Sequence, residues 1–137
     1  MTKTLPLYFV VNAVLFAAFA VGAFFVPQLL ATPLEISLTT PTALADFRAV
    51  YGGLSFGIAF LSVFALRKPE FQLPVLWLLT FCMDGLILGR LISTVMSGPG
   101  SVVIFAQLGL ELFSAAWGFA LIRAHQPTSR TSAPLGV

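Results

Sequence analysis

Histidine and cysteine each occur once in this chain of 137 residues. They lie in different segments, Cys82 inside an apolar run and His125 beyond the last one. A disulfide or thiol-ligated cluster within one chain is therefore excluded. So is a haem held by two histidines of one subunit, and a zinc or copper centre lacks its usual donor set. Charge is equally scarce: Asp, Glu, Lys and Arg make up 9% of the residues, against roughly 25% in soluble domains. The net charge of +2 comes from too few side chains to build a nucleic-acid surface. No cofactor, no metal and no nucleic-acid partner is expected of this inventory. Carboxylates, arginines, hydroxyls and aromatic rings are the chemistry that remains.

What the chain has in quantity is apolar surface, 58% of its residues. It is gathered into four runs, each long enough for a hydrocarbon core about 30 Å thick. The runs predict spans at about 5–26, 42–66, 73–96 and 102–122. The expected fold is all-α: a polytopic membrane protein with four transmembrane helices in an antiparallel bundle over residues 1–124, then a disordered cytoplasmic tail at 125–137. The first run exceeds the roughly 7–15-residue core of a cleaved signal, so a retained helix is expected. Between Pro27 and Pro41 the composition is too broken by proline for a span and too apolar for a free linker, which predicts an interfacial loop or short helix across the bundle mouth. Thr42 is the candidate cap of the second helix. Ser97-Gly98-Pro99-Gly100-Ser101 is a turn that lets the third and fourth helices pair as a hairpin. Lys3, then Arg67 and Lys68, then Arg123 and Arg130 flank alternate ends of the spans, and the other two connections carry no Lys or Arg. The positive-inside rule then places both termini in the cytoplasm.

Ionisable residues inside the runs are the functional pointers: Arg48, Asp84, Arg90 and Glu111. Each costs about 2.5–3.5 kcal/mol on insertion scales, so it must meet a partner, water or a ligand. Helical spacing puts Arg48, Gly52, Ser55, Ala59 and Ser62 on one interior stripe of the second helix, with Tyr51 beside it. Gln107, Glu111, Ser114 and Gly118 form the matching stripe of the fourth. Asp84 and Arg90 are six residues apart and point about 120° from each other, so they seek partners on different helices. At 1.5 Å rise per residue, Arg48 and Arg90 lie roughly 9 Å below the outer helix ends and Glu111 roughly 13 Å. The expected cluster is Glu111 bridged by Arg48 and Arg90, with Tyr51, Ser93 and Gln107 as hydrogen-bond partners. Asp84 lies deeper, where Thr80 and Asn12 are candidate neighbours. Gly53 and Gly57 form a Gly-x-x-x-Gly on nearly the opposite side, suited to close approach of another helix, including one of a second copy.

Asp46-Phe47-Arg48-Ala49-Val50-Tyr51-Gly52-Gly53, then Gly57, then Gly89-Arg90 with Ser93, a Gly-Pro turn and the membrane residue Glu111, together resemble a family of small bacterial four-helix membrane proteins, the domain-of-unknown-function 4345 family. The resemblance runs from the first segment to Ile122. It implies a multi-pass protein of the bacterial inner (plasma) membrane and supplies no substrate. An Asp-Gly pair expected near the outer end of the third segment is replaced here by Ser97-Gly98.

Three functions fit these residues. The first is a binding module, in which Arg48, Tyr51, Arg90, Gln107, Glu111 and Ser93 line an outward-facing intramembrane pocket for a small amphipathic or lipid-like ligand. Two arginines against one glutamate leave spare positive charge for an anionic head, unless Asp46 cancels it. The second is a proton-coupled small transporter working as an oligomer, with Asp84 or Glu111 as the proton-exchanging carboxylate. The third is a non-catalytic accessory subunit whose charges only fix helix order and whose glycine faces dock other chains. An enzyme is not expected, since a hydrolase triad lacks an intramembrane histidine and a metal site lacks ligands.

Overall fold

The computed structural model describes residues 4–125. Lys3, Arg130 and residues 126–137 of the tail for which disorder is expected lie outside the described residues, and the first residue of that expected tail, His125, instead ends a helix. Helix α1 spans Thr4–Phe25, and a short helix α2 (Pro27–Ala31) with a 3-10 turn (Thr32–Leu34) forms the predicted connector. The second span is composite: α3 (Pro41–Phe47), a π-helical turn (Arg48–Gly53) and α4 (Leu54–Arg67) form one continuous rod. A 3-10 turn at Pro69–Phe71 leads into α5 (Gln72–Ser97), and α6 (Val102–His125) completes the bundle. No strand occurs among the described residues. The four rods are each long and apolar enough to cross a membrane, so the chain is an all-α, multi-pass membrane protein.

Helix ends follow from local chemistry, with two differences from expectation. Thr40, not Thr42, caps α3: its Oγ1 accepts from Ala43 N at 3.1 Å, because Pro41 with its fixed φ occupies the first helical position. Helix α6 continues past Ile122 to His125, whose Nδ1 lies 2.8 Å from Leu121 O. Gly98, at φ 87°, closes α5 with its N–H donated to Thr94 O at 3.1 Å, a backbone shape that few other residues adopt.

Three hydroxyls within the spans are satisfied by their own helix. Ser62, Thr80 and Thr94 each donate to the carbonyl four residues earlier at 2.8 Å, as a water-free surrounding requires. Helix α1 packs along α4, and α5 along α6. The two pairs join in a core of Leu5, Tyr8, Phe9, Ala65, Val75, Leu76, Leu79, Leu121 and Ile122, at the end that carries Arg67 and Arg123. There a knot of polar groups is buried: Tyr8 Oη is surrounded by Thr80, Ser114 and Asn12 but out of hydrogen-bonding geometry with them. Gly118 makes room for it, since a Cβ there would overlap Thr80 Oγ1 and stand 3.2 Å from Tyr8 Oη.

At the opposite end the pairs part. Every buried residue of α5 lies between Gln72 and Met83, and a Cβ added at Gly85, Gly89 or Gly109 would meet nothing within 4 Å. A smaller cluster of Ala23, Ala31 and Phe47 ties the connector to the C-terminal ends of α1 and α3, and Thr32–Leu34 reaches across to α6.

Candidate functional site

The parting of the helix pairs leaves an open cleft of about 490 Å³, within the 300–1,000 Å³ common for ligand sites. Tyr51 borders it from the π-helical turn. Gly85, Leu86, Gly89, Arg90, Ser93, Thr94 and Ser97 of α5 form its long wall, and Gly98, Pro99, Gly100 and Ile104 its outer rim. Tyr51 is fixed by stacking on Phe47, with ring centroids 4.5 Å apart and planes at 22°.

Arg90 is the only charged residue on the cleft wall among the described residues. Its guanidinium grips Glu111 through three hydrogen bonds, Nε to Oε1 at 3.0 Å, Nε to Oε2 at 2.9 Å and Nη2 to Oε1 at 2.9 Å. Helix α5 supplies the cation and α6 the anion, so the pair also sets the register of the two helices. Thr94 Oγ1 donates to Arg90 O and pins the turn that carries the arginine. One turn outward from Glu111 on the same stripe, Gln107 Oε1 is buried with no hydrogen-bond partner among the described residues.

The structure thus brings together Arg90 and Glu111, with Tyr51 and Ser93 beside Arg90 on the cleft and Gln107 close to Glu111 along α6. It does not bring in Arg48. The predicted double bridge is corrected to a single Arg90–Glu111 pair: Arg48 is exposed, and its Nε donates to Phe24 O at 3.1 Å. The cause is the π-helical turn. It adds a residue to the turn, so a stripe drawn at 3.6 residues per turn holds for Gly52, Ser55, Ala59 and Ser62, all buried, and breaks at Arg48. The guanidinium is left over the last turn of α1, where backbone carbonyls lack helical partners. Gly52 allows that approach, because a Cβ there would come within 2.6 Å of the Phe24 ring.

The candidate neighbours of Asp84 are corrected too. Thr80 donates to Leu76 O and Asn12 to Tyr8 O, and Asp84, half-buried, has no hydrogen bond or ion pair among the described residues. Gly53 and Gly57 closely approach none of the described helices, since a Cβ at either meets nothing within 4 Å. The glycines that matter to the cleft are Gly85 and Gly89. Their four-residue spacing is visible in the sequence and is the signal that could have marked this wall.

No curated protein and no solved structure matches the chain. Its residues 5–122 match the family described as a domain of unknown function, DUF4345, and on that span the protein, with its Arg90–Glu111 pair and its cleft, belongs to this family.

Proposed function

We propose that this protein is a small multi-pass component of the bacterial inner membrane, with both termini cytoplasmic, that holds a small amphipathic, lipid-like molecule in the cleft between its helix pairs. The orientation rests on Arg67, Lys68 and Arg123 lying at the closed end of the bundle, which makes the cleft outward-facing. The observation that carries the reading is the cleft itself, apolar over most of its wall, with one ion-paired arginine and a tyrosine converging on it. A cluster serving stability alone is a weaker account, because desolvation offsets most of the gain from a buried pair.

The test is native mass spectrometry of the gently solubilised protein beside Glu111→Gln and Arg90→Ala. A small molecule that accompanies the wild type and is missing from both variants at equal folding supports the reading. A ligand-free, folded wild type whose variants merely unfold overturns it in favour of the accessory subunit.

Asp84 favours a second reading, a proton-coupled transporter assembled from several copies. A carboxyl deep in a span without a partner among the described residues is suited to taking up and releasing a proton. Its test is pH-driven flux in liposomes, abolished by Asp84→Asn.

A further inference from the structure

Resting on the binding reading above, we infer that the cleft selects an uncharged head group bearing carbonyl oxygens and disfavours an anionic one. The argument starts from charge. Among the described residues Arg90 is the only charged one on the wall, and Glu111 takes three of its N–H contacts. A negative head near Arg90 would therefore face a carboxylate only one hydrogen-bond length further on, and the two Coulomb terms largely cancel. Arg48, the second positive charge that an anionic ligand would use, is turned to Phe24 O and does not line the cleft. The backbone adds no net field: the C-terminal end of α5 and the N-terminal end of α6 meet at the rim, and their opposite end charges offset each other.

What the cleft keeps is hydrogen-bonding capacity, weighted toward donors. Arg90 Nη1 takes no part in the pairing with Glu111, and its two N–H groups can only donate. Tyr51 and Ser93, each with a hydroxyl that can donate, also line the cleft. A site that is neutral and donor-rich fits an oxygen that accepts hydrogen bonds without carrying charge, as in an ester, a ketone or a quinone ring. The bare backbone at Gly85 and Gly89 leaves a smooth strip of α5 for the attached chain.

The experiment uses the full chain in phosphatidylcholine nanodiscs with two photoreactive probes of identical diazirine-bearing acyl chains, a diacylglycerol and a phosphatidic acid, at equal mole fraction. Labelled peptides are mapped by mass spectrometry. The diacylglycerol should label the cleft wall, residues 85–104, about tenfold more than the phosphatidic acid. Glu111→Gln removes the cancelling charge and should reverse that order. Displacement by unlabelled diacylglycerol or by decylbenzoquinone then tells an ester-bearing glyceride from a quinone. Equal or stronger cleft labelling by the phosphatidic acid in the wild-type protein overturns the uncharged head and leaves the binding reading standing. Labelling spread evenly over the lipid-facing helices by both probes overturns the binding reading, and this inference with it. The wild-type comparison decides the matter even if Glu111→Gln does not fold.

Discussion

Arg90 and Glu111 meet across the α5–α6 interface with Nη2 and Oε1 2.9 Å apart, the two side chains 23% and 10% exposed. Both charges are thus mostly withdrawn from solvent, and each is the other's main compensation. The pair sits where the closed half of the bundle gives way to the cleft, so it can serve register and recognition together.

Removing one partner should cost far more than removing both. Arg90→Ala strands a carboxylate and is expected to destabilise by about 3–5 kcal/mol, whereas Arg90→Met with Glu111→Leu should be close to neutral. Steric-trap or SDS unfolding of the two single variants and the double variant checks this. The double variant should stay folded and lose the bound molecule, which separates stability from recognition.

Two adjacent glycines should respond in opposite directions. Gly52→Ala drives a methyl within 2.6 Å of the Phe24 ring and should destabilise, by about 1–3 kcal/mol as overpacked sites do. Gly53 has open space around its Cβ and an ordinary helical φ of −64°. Gly53→Ala should therefore stabilise by about 0.4–1 kcal/mol through the unfolded chain. The same unfolding assay reads both.

At the closed end, Gly118→Ala should destabilise by about 1–3 kcal/mol, since the new methyl overlaps Thr80 Oγ1. Thr80→Ala removes that oxygen along with its bond to Leu76 O. The double variant should then be more stable than the sum of the single effects, a coupling that an unfolding double-mutant cycle measures.

The four spans and the turn at Gly98 were legible in the sequence because apolar length and a Gly-Pro signal act locally. The pairing of Glu111 with Arg90 was also within reach, since depth counted along two regular helices is reliable. Arg48 was misplaced because the π-helical turn is a backbone insertion whose trace in the sequence is the Gly52-Gly53 pair. Both are poor helix formers and mark a weak turn without stating its geometry. A pocket with Tyr51, Arg90 and Ser93 on it was expected, but its glycine wall was not: that wall is defined by where helix pairs separate, and composition records which residues are small, as at Gly85 and Gly89, but not that nothing packs on them.

The two arginines should differ sharply when changed to lysine. At position 48 the arginine makes one hydrogen bond, from Nε to Phe24 O, at an exposed site. A lysine ammonium can donate to the same carbonyl, so Arg48→Lys should leave both melting and ligand occupancy nearly unchanged. Arg90 presents Nε and Nη2 together to one carboxylate, a planar fork that lysine cannot reproduce with a single point charge. Arg90→Lys keeps the charge balance yet loses that geometry and, with it, the Nη1 donors. Occupancy of the co-purified molecule, read by native mass spectrometry, should fall about tenfold for Arg90→Lys. Equal losses at both positions would put Arg48 back in the site and would mean that charge, not planar pairing, holds the ligand.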